Sequence, residues 1–335
     1  MSGVWRAVAC CQGCAVIFHS PMGCVHVAET MDLGSHYRIL ADGRHENIER
    51  VPLVSSNIRE KDSIFGGTGR LRQSISYVME TYRPECLFIA TSCVAGVIGD
   101  DAESESAEAE MKYGIPVICI PYAGFLGGEY SDGYYKTAET IIDRFFKPCE
   151  HVPNRILLLG DQMGPEGQYV TEVKRLLSLL GLEVQGQFPG YLPFPEWANA
   201  PAAELAIVLG TTGQSDHMNG MADLLEKKFG IHAVKDIYPI GWENTCKWIL
   251  EIGRLHRNVK KAKVIIEEEK KRIDSYVKSI LHITKGKKAV IGIGRGTHWY
   301  SPSDTISALR QLEMRIEAVI LYDNLTDKEK AEYRH

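Results

Sequence analysis

The sequence predicts an α/β fold: repeated doubly wound domains with mostly parallel sheets, the third of them incomplete. Three observations carry this reading. Short apolar runs such as Cys86-Leu87-Phe88-Ile89-Ala90 recur along the chain, continuous enough to be buried on both faces of a parallel sheet. Each is followed by a longer stretch with apolar residues at three- and four-residue spacing, the pattern of a helix laid on that sheet. A chain of 335 residues also exceeds what one core usually supports, and its last strand–helix–strand stretch is too short to finish a domain.

Taken in order, Ala15 to Phe18 and Val51 to Val54 read as strands, and Leu71 to Met79 as a helix with Leu71, Ile75 and Val78 on one face. Cys86 to Ala90 is the next strand. A helix follows to about Tyr113, then a strand over Pro116 to Ile120 and a helix over Tyr134 to Phe146. Pro148 and Pro153 interrupt the pattern and open a second round. There Ile156 to Leu159, Leu205 to Leu209 and Ile231 to Val234 are strands, while Val170 to Leu180, Met218 to Phe229 and Gly241 to Ile252 are helices. A third unit begins at Ala289 to Ile293, with a helix near Thr305 to Leu312 and a strand at Ala318 to Leu321. The expected domains are 1–150, 151–255 and 256–335, the last comprising a linker helix and the start of an unfinished unit.

Composition narrows the function. With 44% hydrophobic and 24% charged residues the chain is an ordinary folded protein. Its net charge of −5 gives no global basic field to recruit nucleic acid or anionic membrane. No run approaches the roughly 18 apolar residues of a membrane span, and the opening Met1 to Arg6 lacks the basic-then-apolar order of a signal peptide. A cytoplasmic protein is expected. Arg254 to Lys288 holds twelve Lys and Arg against four Asp and Glu. It reads as a solvated linker helix, because the cations alternate with Glu267-Glu268-Glu269 and no aromatic ladder accompanies them. Asp100 to Glu110, with six carboxylates and no cation, likewise reads as a solvated helix face, the alternative being a docking face for a positive partner.

The chemistry sits with the cysteines. In a reducing cytosol, nine of them are core thiols, metal ligands or redox groups before they are disulfides. Two stretches place one just beyond a strand: His19-Ser20-Pro21-Met22-Gly23-Cys24, and Ala90-Thr91-Ser92-Cys93 running on to Gly99-Asp100-Asp101. Ligand sites in open α/β sheets gather at the strands' carboxyl ends. Two such thiolates in one sheet could meet at a shared iron–sulfur cluster. The plain alternative is packing, since buried free cysteine is common core material.

These segments, with Ile64-Phe65-Gly66-Gly67 between them, resemble the nitrogenase component 1 superfamily of catalytic subunits, cofactor-assembly scaffolds and dark-operative tetrapyrrole reductases. Leu224 to Ile231, Pro239-Ile240-Gly241 and Thr245 extend the resemblance into the second unit. It implies a subunit of three similar α/β domains, paired with a like subunit as homodimer or heterodimer. It also implies an iron–sulfur cluster, of 4Fe-4S type, near the interface, and an ATP-dependent iron–sulfur reductase that docks to pass electrons in. Cys24 and Cys93 fall on its cluster-thiolate, and hence metal-binding, positions.

The pattern departs from the family at three places. Counting back from Cys24 to the family's upstream thiolate passes Met1; Cys10, Cys11 and Cys14 are candidate substitutes, Cys11 and Cys14 having metal-type CxxC spacing. Gln214 falls near the position where catalytic subunits hold their large cofactor by a cysteine, and His217 nearby reads as a helix-start residue. Most of the third domain is absent. Among lesser signals, Gly292-Ile293-Gly294-Arg295-Gly296-Thr297 misses the register of a dinucleotide loop. Gly66-Gly67-Thr68-Gly69 reads as a tight turn into a helix, with anion binding the alternative. The expected function is that of an oxidoreductase subunit relaying low-potential electrons through an iron–sulfur cluster to a bound substrate. The alternatives are a non-catalytic metal-cluster assembly scaffold and a chain that keeps the fold without a cluster.

Overall fold

The computed structural model describes residues 1–30, 49–121, 130–161, 164–210, 216–293 and 302–322, with positions 327 and 331. In the first of its parallel sheets, β1 (Cys14–His19) lies between β2 (Leu53–Ser55) and β3 (Cys86–Thr91), with β4 (Val117–Ile120) beyond β3. Every residue of β1 and β3 is buried, which is why both read as unbroken apolar runs rather than alternating ones. The helices are α1 (Ser2–Val8), α2 (22–30), α3 (Asp62–Phe65), α4 (Thr68–Thr81), α5 (Cys93–Ile98), α6 (Ala102–Tyr113) and α7 (Tyr130–Phe145).

One expected helix is two. Gly99 ends α5 in the left-handed region at φ 80°, and the Asp101 side chain then caps α6 by accepting the Ser104 N–H at 3.0 Å. The six carboxylates here are less solvated than expected. Glu105 is buried against Arg72 at 2.6 Å, and Glu110 accepts both the Val117 N–H and Arg144.

A second sheet repeats the order: β5 (Val152–Leu159) between β6 (Glu183–Phe188) and β7 (Ala203–Val208), with β8 (His232–Val234) outermost. Around it stand α8 (Gln168–Leu180), α9 (Asp216–Phe229), α10 (Trp242–Leu255) and a 3₁₀ segment over Phe194–Ala202. A single apolar core fills the space between the two sheets. At its centre Trp197 is fully buried, with ring centroids 6.1 Å from Phe88, 5.3 Å from Phe145 and 5.1 Å from Phe194. Separate cores cover the outer face of each sheet.

The charged stretch forms one 26-residue helix, α11 (Val259–Thr284), seated on α8 and α10 by its first half. Its Glu269 is buried and bonded to Arg175 at 2.6 Å and Arg272 at 2.7 Å. Both guanidinium groups are partly in water, so Glu269→Ala is expected to cost only ~1 kcal/mol in chemical denaturation. Finally β9 (Lys288–Ile293) and β10 (Arg315–Leu321) form a parallel pair beside α12 (Pro302–Gln311). Val290, Val319 and Ile320 stay exposed on it. The glycine run at 294–297 lies outside the described residues. Among the described residues no helix is long and apolar enough to cross a membrane.

Candidate functional site

The order β2-β1-β3-β4 means that the chain leaves β1 toward one side of the sheet and later continues from β3 toward the other. The crevice outside the carboxyl ends of β1 and β3 is therefore the sheet's switch point, where open α/β folds bind ligands. The β1–β3 register aligns His19 with Thr91, and just beyond them Cys24 lies in the first turn of α2 and Cys93 opens α5. The Ser92 side chain caps α5 by accepting the Ala95 N–H at 3.2 Å, fixing where Cys93 starts.

Cys24 and Cys93 come close enough to interact electrostatically. Burial raises the Cys24 thiol pKa, the neighbouring Cys93 raises it further, and Ser20 and the Met1 amino group pull the other way. The Met1 amino group is lowered by burial and raised in turn by both cysteines. Neither sulfur is sealed in hydrocarbon: both cysteines are half-buried. Val97 on α5 and Phe65 on the adjacent α3 are 80% and 84% exposed, and Met22 on α2 is exposed as well. Without a metal, Cys24 is thus expected to alkylate slowly at neutral pH and to go on accelerating beyond pH 9, the ordinary thiol value, because its own lies higher. Iodoacetamide time courses read by mass spectrometry would show this; a rate flat with pH would contradict it.

Cys10, Cys11 and Cys14 are elsewhere. All three are buried, and Cys11 donates its thiol to the Ala7 carbonyl at 3.8 Å. Cys14 is the register partner of Cys86 and hydrogen-bonded to it, and burial pushes the pKa values of Cys11 and Cys14 well up. Cys14 opens β1 whereas the switch point lies beyond His19, about 16 Å further at ~3.3 Å per residue. The CxxC spacing is therefore core packing at the sheet's amino end and contributes no ligand to this rim. Gln214 lies outside the described residues, as does the side chain of His217.

Sequence reasoning missed two residues at the rim as participants. His19 Nε2 lies 3.0 Å from Asp100 Oδ2, and both side chains are almost fully buried. His19 Nδ1 is 2.8 Å from Ser56 Oγ, which already accepts the Ser20 N–H at 3.1 Å. The Asp100 carboxylate can only accept, which assigns the ring proton to Nε2; in a neutral ring Nδ1 then accepts the Ser56 hydroxyl proton. Burial holds the His19 pKa below its ordinary value against the pull of Asp100, in keeping with a neutral ring. Asp100 also accepts the Gly67 N–H at 2.8 and 3.0 Å. The anion that meets the glycine turn is thus the chain's own carboxylate. Both residues stood inside the cysteine stretches, but 81 positions apart, and only the β1–β3 pairing makes them neighbours.

Among the described residues no three His, Cys, Asp or Glu side chains gather into a set that would hold a metal ion. What the rim offers is two half-buried soft sulfur donors, which suits iron–sulfur chemistry but is half of a four-thiolate set.

Comparison with known proteins places the chain. It belongs to the nitrogenase component 1 type oxidoreductase family, whose profile matches residues 1–335. It is 34% identical over 283 residues to the nitrogenase iron-molybdenum cofactor biosynthesis protein NifE of Clostridium pasteurianum, covering 83% of this chain and 58% of that protein. It is 27% identical over 272 residues to the nitrogenase molybdenum-iron protein alpha chain of Methanosarcina barkeri, covering 79% of this chain and 49% of that one. The solved structure of nitrogenase Cp1 at pH 6.5 superposes with a TM-score of 0.71 at 21% identity, over 96% of this chain and 60% of that chain, which establishes the shared fold. The chain therefore spans about half to three fifths of the length of these proteins.

Proposed function

We propose that the chain is a cluster-holding subunit of a nitrogenase component 1-like complex and that its work is cofactor assembly. Cys24 and Cys93 would hold an iron–sulfur cluster together with thiolates from a like partner subunit. The observation that supports this is the placement of Cys24 and Cys93 just beyond the carboxyl ends of two adjacent strands, half-buried at the switch point. Two donors leave a cluster short of ligands, and an unsealed rim lets a second subunit complete the set. When bound, such a cluster supplies one-electron redox chemistry. This chain's contribution is to fix the two sulfurs and to give up their protons on binding.

Assembly rather than turnover is supported by Gln214, which falls near the position where the resemblance puts a catalytic subunit's cofactor cysteine, and by the 34% identity to a cofactor biosynthesis protein. The second reading is an oxidoreductase subunit fed by an ATP-dependent iron–sulfur reductase. The 27% identity to a molybdenum-iron protein alpha chain supports it.

The test is anaerobic purification, iron and sulfide analysis, and electron paramagnetic resonance. We expect iron and sulfide in the native protein, their loss in Cys24→Ala and Cys93→Ala, and transfer of metal to an acceptor protein without oxidation by added substrates. Absence of iron after reconstitution would overturn both readings. Oxidation of the cluster by a reducible substrate during turnover with a reductase would replace assembly by catalysis.

A further inference from the structure

The rim carries a buried polar pair that neither reading of the cysteines uses. His19 closes β1, five positions before Cys24, and Asp100 directly follows the Gly99 that ends the helix opened by Cys93. Their bond therefore spans the two cysteine-bearing segments from below. The connection is reinforced on each side. The Ser92 N–H donates to the His19 carbonyl at 3.1 Å, and the Asp100 N–H to the Ala95 carbonyl at 3.2 Å. Ser56 anchors the ring from β2's end, and the Gly67 N–H anchors the carboxylate from the start of α4.

Four segments thus converge on one imidazole and one carboxylate. A buried pair of this kind contributes little net stability over apolar packing of the same volume, so its distinctive physical effect is to fix geometry. Space is also limiting. A Cβ at Gly67 would lie 2.5 Å from Asp100 Oδ2 and 3.2 Å from His19 Cε1, so the carboxylate and ring can hold their places only beside a glycine.

We propose that His19 and Asp100 are positioning residues for the cluster: through their hydrogen bond they set the separation of the Cys24 and Cys93 sulfurs without touching the metal. The proposal rests on the cluster reading given above. It concerns the tie beneath the ligands, and it makes a different prediction for each end of that tie. Removing the carboxylate in Asp100→Ala cuts the side-chain tie between the cysteine segments and leaves only the backbone bonds. In His19→Gln the amide nitrogen reaches close to the place of Nε2, so donation to Asp100 survives while the Ser56 contact is lost.

The experiment uses the complex isolated anaerobically with its partner subunit, and reads two quantities. One is the rate of iron loss to a chelator; the other is the electron paramagnetic resonance spectrum of the reduced protein, both taken where circular dichroism shows a native fold. Asp100→Ala is expected to lose iron about tenfold faster or more, the scale seen when outer groups that orient metal ligands are removed, and to show shifted g-values. His19→Gln is expected to stay near wild type in both. An unchanged spectrum in Asp100→Ala, or equal effects in the two variants, would overturn the positioning role. If Asp100→Ala does not fold, Gly67→Ala, whose methyl group displaces the carboxylate, is read in its place by the same criteria. A wild-type complex without iron would instead remove the cluster reading itself, which separates the two failures.

Discussion

Asp161→Ala is expected to lower the unfolding free energy at pH 7 by about 3 kcal/mol, the low end for breaking a buried ion pair. Asp161 follows the Gly160 turn at the end of β5, the second sheet's equivalent of the rim described above. Its carboxylate accepts Arg6 Nε at 2.7 Å, Arg6 Nη2 at 2.8 Å and the Tyr191 hydroxyl at 2.6 Å. The Arg6 side chain is 10% exposed and that of Asp161 20%. Removing the carboxylate strands a desolvated guanidinium on α1, and the partial exposure is what keeps the cost at the low end. Urea denaturation would measure it; a loss under 1 kcal/mol would mean that Arg6 finds water.

The same group shapes the acid limb. Burial pushes the Asp161 pKa up, but the charge of Arg6 and the hydrogen bonds from Arg6 and Tyr191 outweigh it and hold the carboxyl below its ordinary value. Its stabilisation is therefore complete above the unfolded-state pKa of about 3.9 and disappears as the pH falls through the lower folded value. The gap between wild type and Asp161→Ala should shrink between pH 4 and lower pH, not between pH 8 and 6.

Trp197→Ala is expected to cost about 3–5 kcal/mol, as for other fully buried large aromatics. The indole sits among Phe88, Phe145 and Phe194, and its Nε1–H donates to the Leu192 carbonyl at 2.8 Å. Its loss opens a cavity and leaves that carbonyl to find another donor. Phe88 belongs to the first sheet, while the 3₁₀ segment carrying Trp197 leads straight into β7 of the second. The cavity should therefore shift the urea midpoint of both sheets together. Fluorine-labelled Phe88 and a reporter on β7 would check this; separate midpoints would show that the core is not shared.

Much of this fold was legible because buried parallel strands carry continuous apolar runs: β1, β3, the second half of β5 and the end of β7 announce themselves. What escaped notice did so for physical reasons. β6, Glu183-Val184-Gln185-Gly186-Gln187-Phe188, is a sheet-edge strand with three polar residues and a glycine, and so lacks the apolar run. α1 has seven residues, under two turns of amphipathic pattern, and is held by packing against α7. The 3₁₀ segment carries two prolines, which read as loop. At the rim, the two cysteines stood out because each follows a strand. The His19–Asp100 pair did not, because nothing local links residues so far apart in sequence; the strand order does. Cys11 and Cys14 show the converse: metal-type spacing satisfied by residues that simply fill the amino end of a sheet.

The connection between α7 and β5 is solvent-facing from Lys147 to His151, the obvious place for a protease to nick or an engineer to cut. Yet residues from both sides of it interdigitate around Trp197 and are joined again by Arg6 and Asp161. A nicked molecule should therefore migrate as one particle on a sizing column under native conditions and come apart only in denaturant. Either half expressed alone would present a sticky open face to the solvent.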